Sequence, residues 1–218
     1  MQRRDATGHS VNQERPYLLV ALGLLGLLGC AAMLLGTVIA QMSVPDHDWV
    51  ADTISDLGAG ELEIIMDVAL YGFAGGLLAT ALAASHAHLG GIGWSSGVVA
   101  LAVLAGLVII VGARNEYGDN DNEGVVIHAY LVYGLGVLFF QAPLCMAAGI
   151  GREHPTSRRI LIGLAIAWAV LAPIFLLVPT SIDDLIERGL GVIACAIVVT
   201  LSSIFVLRGR KAYRSGAV

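Results

Sequence analysis

YLLVALGLLGLLGCAAMLLGTVIAQ, residues 17–41, carries no charged side chain. It exceeds the roughly 20 apolar residues that take an α-helix across the hydrocarbon core of a bilayer. Five more stretches read the same way: about Leu62–Ala84, Ser95–Ala113, Gly124–Ile150, Ile160–Val178 and Leu190–Leu207. The connections between them are short, which leaves one bundle and no separate soluble domain. Composition agrees. The chain is 57% hydrophobic and 13% charged, with mean hydropathy +0.80. A soluble domain is about 45–50% apolar and about 25% charged, so the excess apolar surface must face lipid. The expected fold is all-α, a polytopic six-helix bundle over 17–208 with an arm at 1–16 and a tail at 209–218.

Lys and Arg set the orientation. Arg3, Arg4 and Arg15 precede the first span, Arg152, Arg158 and Arg159 join the fourth to the fifth, and Arg208, Arg210, Lys211 and Arg214 follow the sixth. Only Arg114 and Arg188, of 12 basic residues, fall on the other side. The basic side, with both termini, is expected in the cytoplasm of a cell membrane. A competing reading takes Leu27-Leu28-Gly29-Cys30 as a lipoprotein signal with Cys30 lipidated. The apolar run continues through Ala40, longer than the roughly 7–15 residues of a signal core, so the first helix is read as a span. Cys30, Cys145 and Cys195 all lie in apolar runs and form neither a disulfide framework nor a metal-ligand spacing. No basic cluster with interleaved aromatics is present, which excludes nucleic acid as a partner.

Of 17 acidic residues, only Asp5, Glu14 and Glu153 lie on the basic side; the rest sit in or near the three outer connections. Keeping basic residues inside explains much of this bias without any site. Asp67 is different, because it lies within the second apolar segment, in one helical stripe with Glu63 and Tyr71. An aspartate at depth costs about 2.5–3.5 kcal/mol on insertion scales. It is expected to face the bundle interior, as polar glue between helices or as a binding residue. His128 heads the fourth span near the depth of Asp52, Asp56 and Glu187. A lone histidine there serves either as a structural donor or, with carboxylates, as a ligand of zinc or a similar cation. Asp56, His128 and Glu187 are the candidate metal set, although no local ligand spacing such as HExxH occurs. Asp119–Glu123 resembles a calcium loop in composition only and reads as a solvated turn. Arg188, beside Glu187 at the entrance to the sixth span, either pairs with a neighbouring acid or binds an anionic headgroup.

Small residues in Gly72-Phe73-Ala74-Gly75-Gly76 and at Gly23, Gly26 and Gly29 allow close helix approach. They are expected to join helices within the bundle. Pro143 and Pro173 fall inside spans and predict kinks, and Gln141 reads as interhelical glue.

Asp52-Thr53-Ile54-Ser55-Asp56-Leu57-Gly58, Ile127-His128 and Leu185-Ile186-Glu187-Arg188-Gly189 together resemble the hallmark of the DUF998 family of uncharacterised membrane proteins. The resemblance runs from the first span to the sixth. It implies six helices in a prokaryotic membrane and motif residues Ser55, Asp56, His128, Glu187 and Arg188, but no activity. The aromatic-proline segment usual before the family histidine is replaced here by Arg114–Glu123.

Three function classes follow. The first is a lipid-binding or accessory protein, with membrane lipid or a protein in the membrane as partner and Asp52, Asp67, Glu187 and Arg188 as binding residues. The second is an intramembrane lipid hydrolase using Ser55, Asp56 and His128, with or without a metal. The third is a small transporter, disfavoured because no inverted repeat is evident. The sequence specifies no cofactor, and paired intramembrane histidines for a b-type haem are missing. The motif residues all begin the second, fourth and sixth spans, so they are expected to converge in one outer-facing polar site.

Overall fold

The structure, a computed structural model, describes residues 15–44, 57, 62–113, 128–150, 153–177 and 183–215. Six helices make up the fold: α1 Pro16–Ser43, α2 Glu63–Ala87, α3 Ile92–Ala113, α4 His128–Gly149, α5 Pro155–Phe175 and α6 Asp183–Arg214. Each includes a segment long and apolar enough to cross a membrane, and no strand occurs among the described residues. The protein is an all-α, multi-pass membrane protein. Proline at the first helical position opens α1 and α5, where its missing N–H costs no hydrogen bond. His88 (φ 42°), Gly90 (φ 83°) and Gly91 (φ 85°) take left-handed backbone to turn α2 into α3. Pro143 and Pro173 lie inside α4 and α5 as expected. The sixth helix runs well past the 190–207 expected from hydropathy, because charged residues end the apolar segment without ending the helix.

Each helix packs on its neighbours in chain order, α1 closes the ring on α6, and α2 also touches α6. Large apolar side chains such as Leu28, Val99, Ile166 and Leu207 point outward, an arrangement suited to a hydrocarbon solvent. The interior face of α1 is built from small residues instead. A Cβ on Gly29 would lie 2.7 Å from the Gly72 carbonyl oxygen and 2.8 Å from Gly76 Cα. Seven residues further along α1, Gly36 abuts Ala69, seven residues back along α2. The α1–α6 seam repeats the pattern. Gly209 meets the carbonyl of Pro16, Gly23 meets the carbonyl of Ser202, and Cys30 Sγ donates to the Cys195 carbonyl at 3.6 Å. These positions step by seven on both helices, the period that keeps one seam in register when helices pack in the left-handed, coiled-coil manner. The glycines therefore serve packing inside the bundle, as their spacing predicts.

α1, α2 and α6 meet at Gly26, which is pressed against the hydroxyls of both Thr80 and Ser202. Thr80 Oγ1 donates to the Gly76 carbonyl at 2.8 Å, so the 3.1 Å contact between the two hydroxyls has Ser202 as donor. Both side chains are fully buried, and both find partners there. Elsewhere, Gln141 Nε2 donates to Ser96 Oγ at 3.0 Å, tying α4 to α3. Trp168 Nε1 donates to the Gly136 carbonyl at 2.8 Å, tying α5 to α4. Trp94 Nε1 donates to the Ala84 carbonyl at 2.9 Å, and its ring meets Phe205 edge to face.

Two contacts place the ends. The Arg15 N–H donates to His86 Nε2 at 2.7 Å, and Arg208 pairs with Glu153 at 3.1 Å. The start of α1, the end of α2, the α4–α5 connection and the end of α6 thus share one end of the bundle, the basic one. The starts of α4, at His128, and of α6, with Glu187 and Arg188, lie at the other.

Candidate functional site

The acidic end is reached by the last turn of α1 and the first turns of α2, α4 and α6. Asp52, Ser55 and Asp56 lie outside the described residues. Leu57, from the same motif, is buried with the hydrophobic core. His128 is the first residue of α4, and its side chain too lies outside what is described. Glu187 and Arg188 are half-buried in the second turn of α6. Among the described residues no three potential metal-ligating side chains gather.

Asp67 sits in the second turn of α2, four residues and roughly 6 Å from the start of the helix. It is half-buried, between an exposed Glu63 and an exposed Tyr71. The Tyr71 ring lies 3.2 Å from where a Cβ on Gly112 would be, so this stripe runs along the α2–α3 seam. The buried polar residues among those described are Gln41, Thr80 and Ser202.

Gln41 is the site residue that sequence reasoning passed over. It is 5% exposed, in the last turn of α1. With its amide oxygen turned to α6, the orientation that gives both amide atoms complementary partners, it accepts from Arg188 Nε at 2.5 Å and from Nη2 at 2.6 Å. The seven-residue seam explains how they meet. Continued by one repeat, the 16/209, 23/202 and 30/195 pairs set Arg188 against Thr37. Gln41 is one turn further toward the acidic end. The arginine therefore reaches along the seam toward the acidic end of the bundle. The available signal was positional: an amide closes an otherwise apolar run at the end that carries an intramembrane arginine.

A guanidinium offers five donors in a planar fork; two of them reach Gln41, and Arg188 makes a further interaction beside that pair.

The profile of the family described as protein of unknown function (DUF998) matches residues 27–204. The match spans all six helices, and the chain belongs to that family. No curated protein and no solved structure matches it.

Proposed function

We propose that this DUF998 protein is a lipid-binding or accessory protein of the cell membrane. Both termini lie in the cytoplasm, and a polar mouth at the outer leaflet takes an anionic headgroup at Arg188. The observation that carries the reading is the Gln41–Arg188 pair, which keeps a permanent positive charge at the outer end of a buried helix seam. Arginine there is expensive in hydrocarbon and gains most from an oxyanion with two oxygens to offer. The basic asymmetry of the connections supports the orientation.

The test is lipid analysis of the purified full chain. Wild-type protein is expected to retain anionic phospholipid through gel filtration in mild detergent. Arg188→Ala removes charge-assisted hydrogen bonds of about 1.5–3 kcal/mol, so retention should fall roughly 10- to 100-fold. Equal retention by the variant defeats the reading. Stoichiometric zinc in the same preparation would instead favour a metal-dependent lipid hydrolase built on Ser55, Asp56, His128 and Glu187.

Orientation has its own expected result. Single cysteines at Ser10→Cys and Ser215→Cys should resist a membrane-impermeant maleimide in intact cells and react after permeabilisation. Labelling of either in intact cells reverses the topology.

A further inference from the structure

The geometry points to a second site, at the basic end of the bundle: the groove between α3 and α4 binds a neutral glycerolipid with a free hydroxyl, a diacylglycerol. The site is remote from Arg188 and does not depend on the headgroup reading.

Three observations select this occupant. The first is length. The groove has a volume of about 380 Å³ and is lined along α3 from Ile92, the first residue of the helix, to Val103. That is three turns, roughly 16 Å, against the roughly 15 Å of hydrocarbon in one leaflet. One acyl chain fits it from the membrane boundary to the midplane. Toward the midplane its walls are apolar, formed by Val99, Val103 and Leu138.

The second observation is a set of polar atoms at the boundary end. Ser95, Ser96 and Gln141 all line the groove. Gln141 Nε2 donates to Ser96 Oγ at 3.0 Å. The Gln141 amide oxygen, the Ser96 proton and the Ser95 hydroxyl then have no hydrogen-bond partner among the described residues. Hydroxyls on membrane helices commonly fold back on the carbonyl four residues earlier, as Thr37, Thr80 and Thr200 do in this chain. Ser95 and Ser96 make no such bond, so both remain available to a ligand. Facing hydrocarbon, each of these groups costs free energy until it is paired.

The third observation is charge. The groove lining has no charged side chain, so nothing there compensates a phosphate. What it offers is two hydroxyl donors and one amide acceptor. The complement is an ester carbonyl beside a hydroxyl, and diacylglycerol carries both at its glycerol. A diacyl phospholipid has only acceptors at that depth and leaves the Gln141 oxygen unserved.

The experiment places full-length protein in nanodiscs of phosphatidylcholine with a minor fraction of diacylglycerol, or of its 3-methyl ether. Lipid retained after extraction into mild detergent is counted by native mass spectrometry, and thermal unfolding is recorded in parallel. Wild type is expected to retain one diacylglycerol per chain and to retain the ether roughly five- to tenfold less, the worth of one hydrogen bond. Gln141→Leu should lower diacylglycerol retention by at least the same factor, with some loss of stability because the tie to Ser96 goes too. Ser95→Ala removes no protein contact and should lower retention while unfolding at the wild-type temperature. Val99→Trp, on an exposed face, fills the groove and should abolish retention, again without change in unfolding. Equal retention of diacylglycerol and its ether overturns the proposal, as does wild-type retention by Ser95→Ala or Val99→Trp. Phosphatidylcholine held in place of diacylglycerol and released by Val99→Trp would make the groove a seat for ordinary boundary lipid. A wild-type dimer that Val99→Trp separates would make it the face for a second copy. Either result overturns the proposal. Arg188→Ala is expected to keep its diacylglycerol, whatever becomes of anionic lipid at the other end; its loss there would show that the two sites are not separate and would overturn the proposal too.

Discussion

Gly29→Val is expected to abolish accumulation of folded protein, whereas Gly75→Val, one helical turn from Gly72 on the facing helix, should accumulate normally. The contrast follows from what each new side chain would meet. At Gly29 even a Cβ lands 2.7 Å from a backbone oxygen and 2.8 Å from a backbone carbon of α2. Neither can rotate away, so α1 and α2 must separate. Separation would also draw Gly26 off the Thr80–Ser202 pair and disturb the seam with α6. Overpacking a tight core costs about 1–3 kcal/mol when side chains can adjust. Here the obstacle is main chain, and the loss should exceed about 3 kcal/mol, a large part of the roughly 5–15 kcal/mol that holds a typical domain together. A Cβ at Gly75 meets nothing within 4 Å and faces outward. Fluorescence-detected size exclusion of tagged variants reads both outcomes. A monodisperse, wild-type-like peak for Gly29→Val would show that the α1–α2 contact is looser than the geometry states.

The second large effect is expected at Trp94, and a pair of variants divides it into parts. Its ring is buried at the basic end, against Phe205 of α6, and a Cβ on Gly149 would lie 3.0 Å from it. It therefore joins α3 to the ends of α4 and α6, while its N–H reaches α2 at Ala84. Trp94→Ala opens a cavity where these helices converge and should cost about 3–5 kcal/mol. Trp94→Phe keeps most of the ring and loses one hydrogen bond. The Ala84 carbonyl also accepts the His88 N–H at 3.2 Å, so it is not orphaned. The cost should be near 1 kcal/mol. Thermal unfolding in a single detergent measures both. Equal destabilisation would mean that the hydrogen bond, and not the packing, dominates.

The six spans were legible because hydrocarbon demands a long apolar run from every helix that crosses it, as in residues 17–41. The role of Gly72 and Gly76 was legible for a related reason: a four-residue spacing of small residues has one obvious use on an apolar helix. The length of α6 was not, since hydropathy marks where lipid ends and Asp183 or Arg214 can remain helical beyond it. Nor was Gln41. One uncharged polar residue at the end of a run says nothing about its neighbour until the α1–α6 register brings Arg188 beside it. Long-range pairing of this kind depends on packing, and no local pattern encodes it. Asp67 falls half-buried in the second turn of α2, whose start at Glu63 is close to the expected Leu62. Asp52, Ser55, Asp56 and the His128 side chain lie outside the described residues, so their convergence with Glu187 and Arg188 stays an expectation.

The seam between α1 and α6 also bears on biogenesis. Four helices are synthesised between these two, so during translation the α1–α2 hairpin can form locally while the other flank of α1 waits. Until α6 is inserted, Gly23, Gly26 and Cys30 on that flank, with Thr80 beside them, have lipid or a chaperone where Ser202 and Cys195 will later stand. Such a groove of small and polar groups is a poor surface to offer hydrocarbon, which gives the unfinished chain a recognisable mark for an insertase to shelter or a membrane protease to find. Closure by α6 erases that mark in one step. A chain stalled before its last helix is thereby distinguishable from a finished one by the side of α1 that it leaves uncovered.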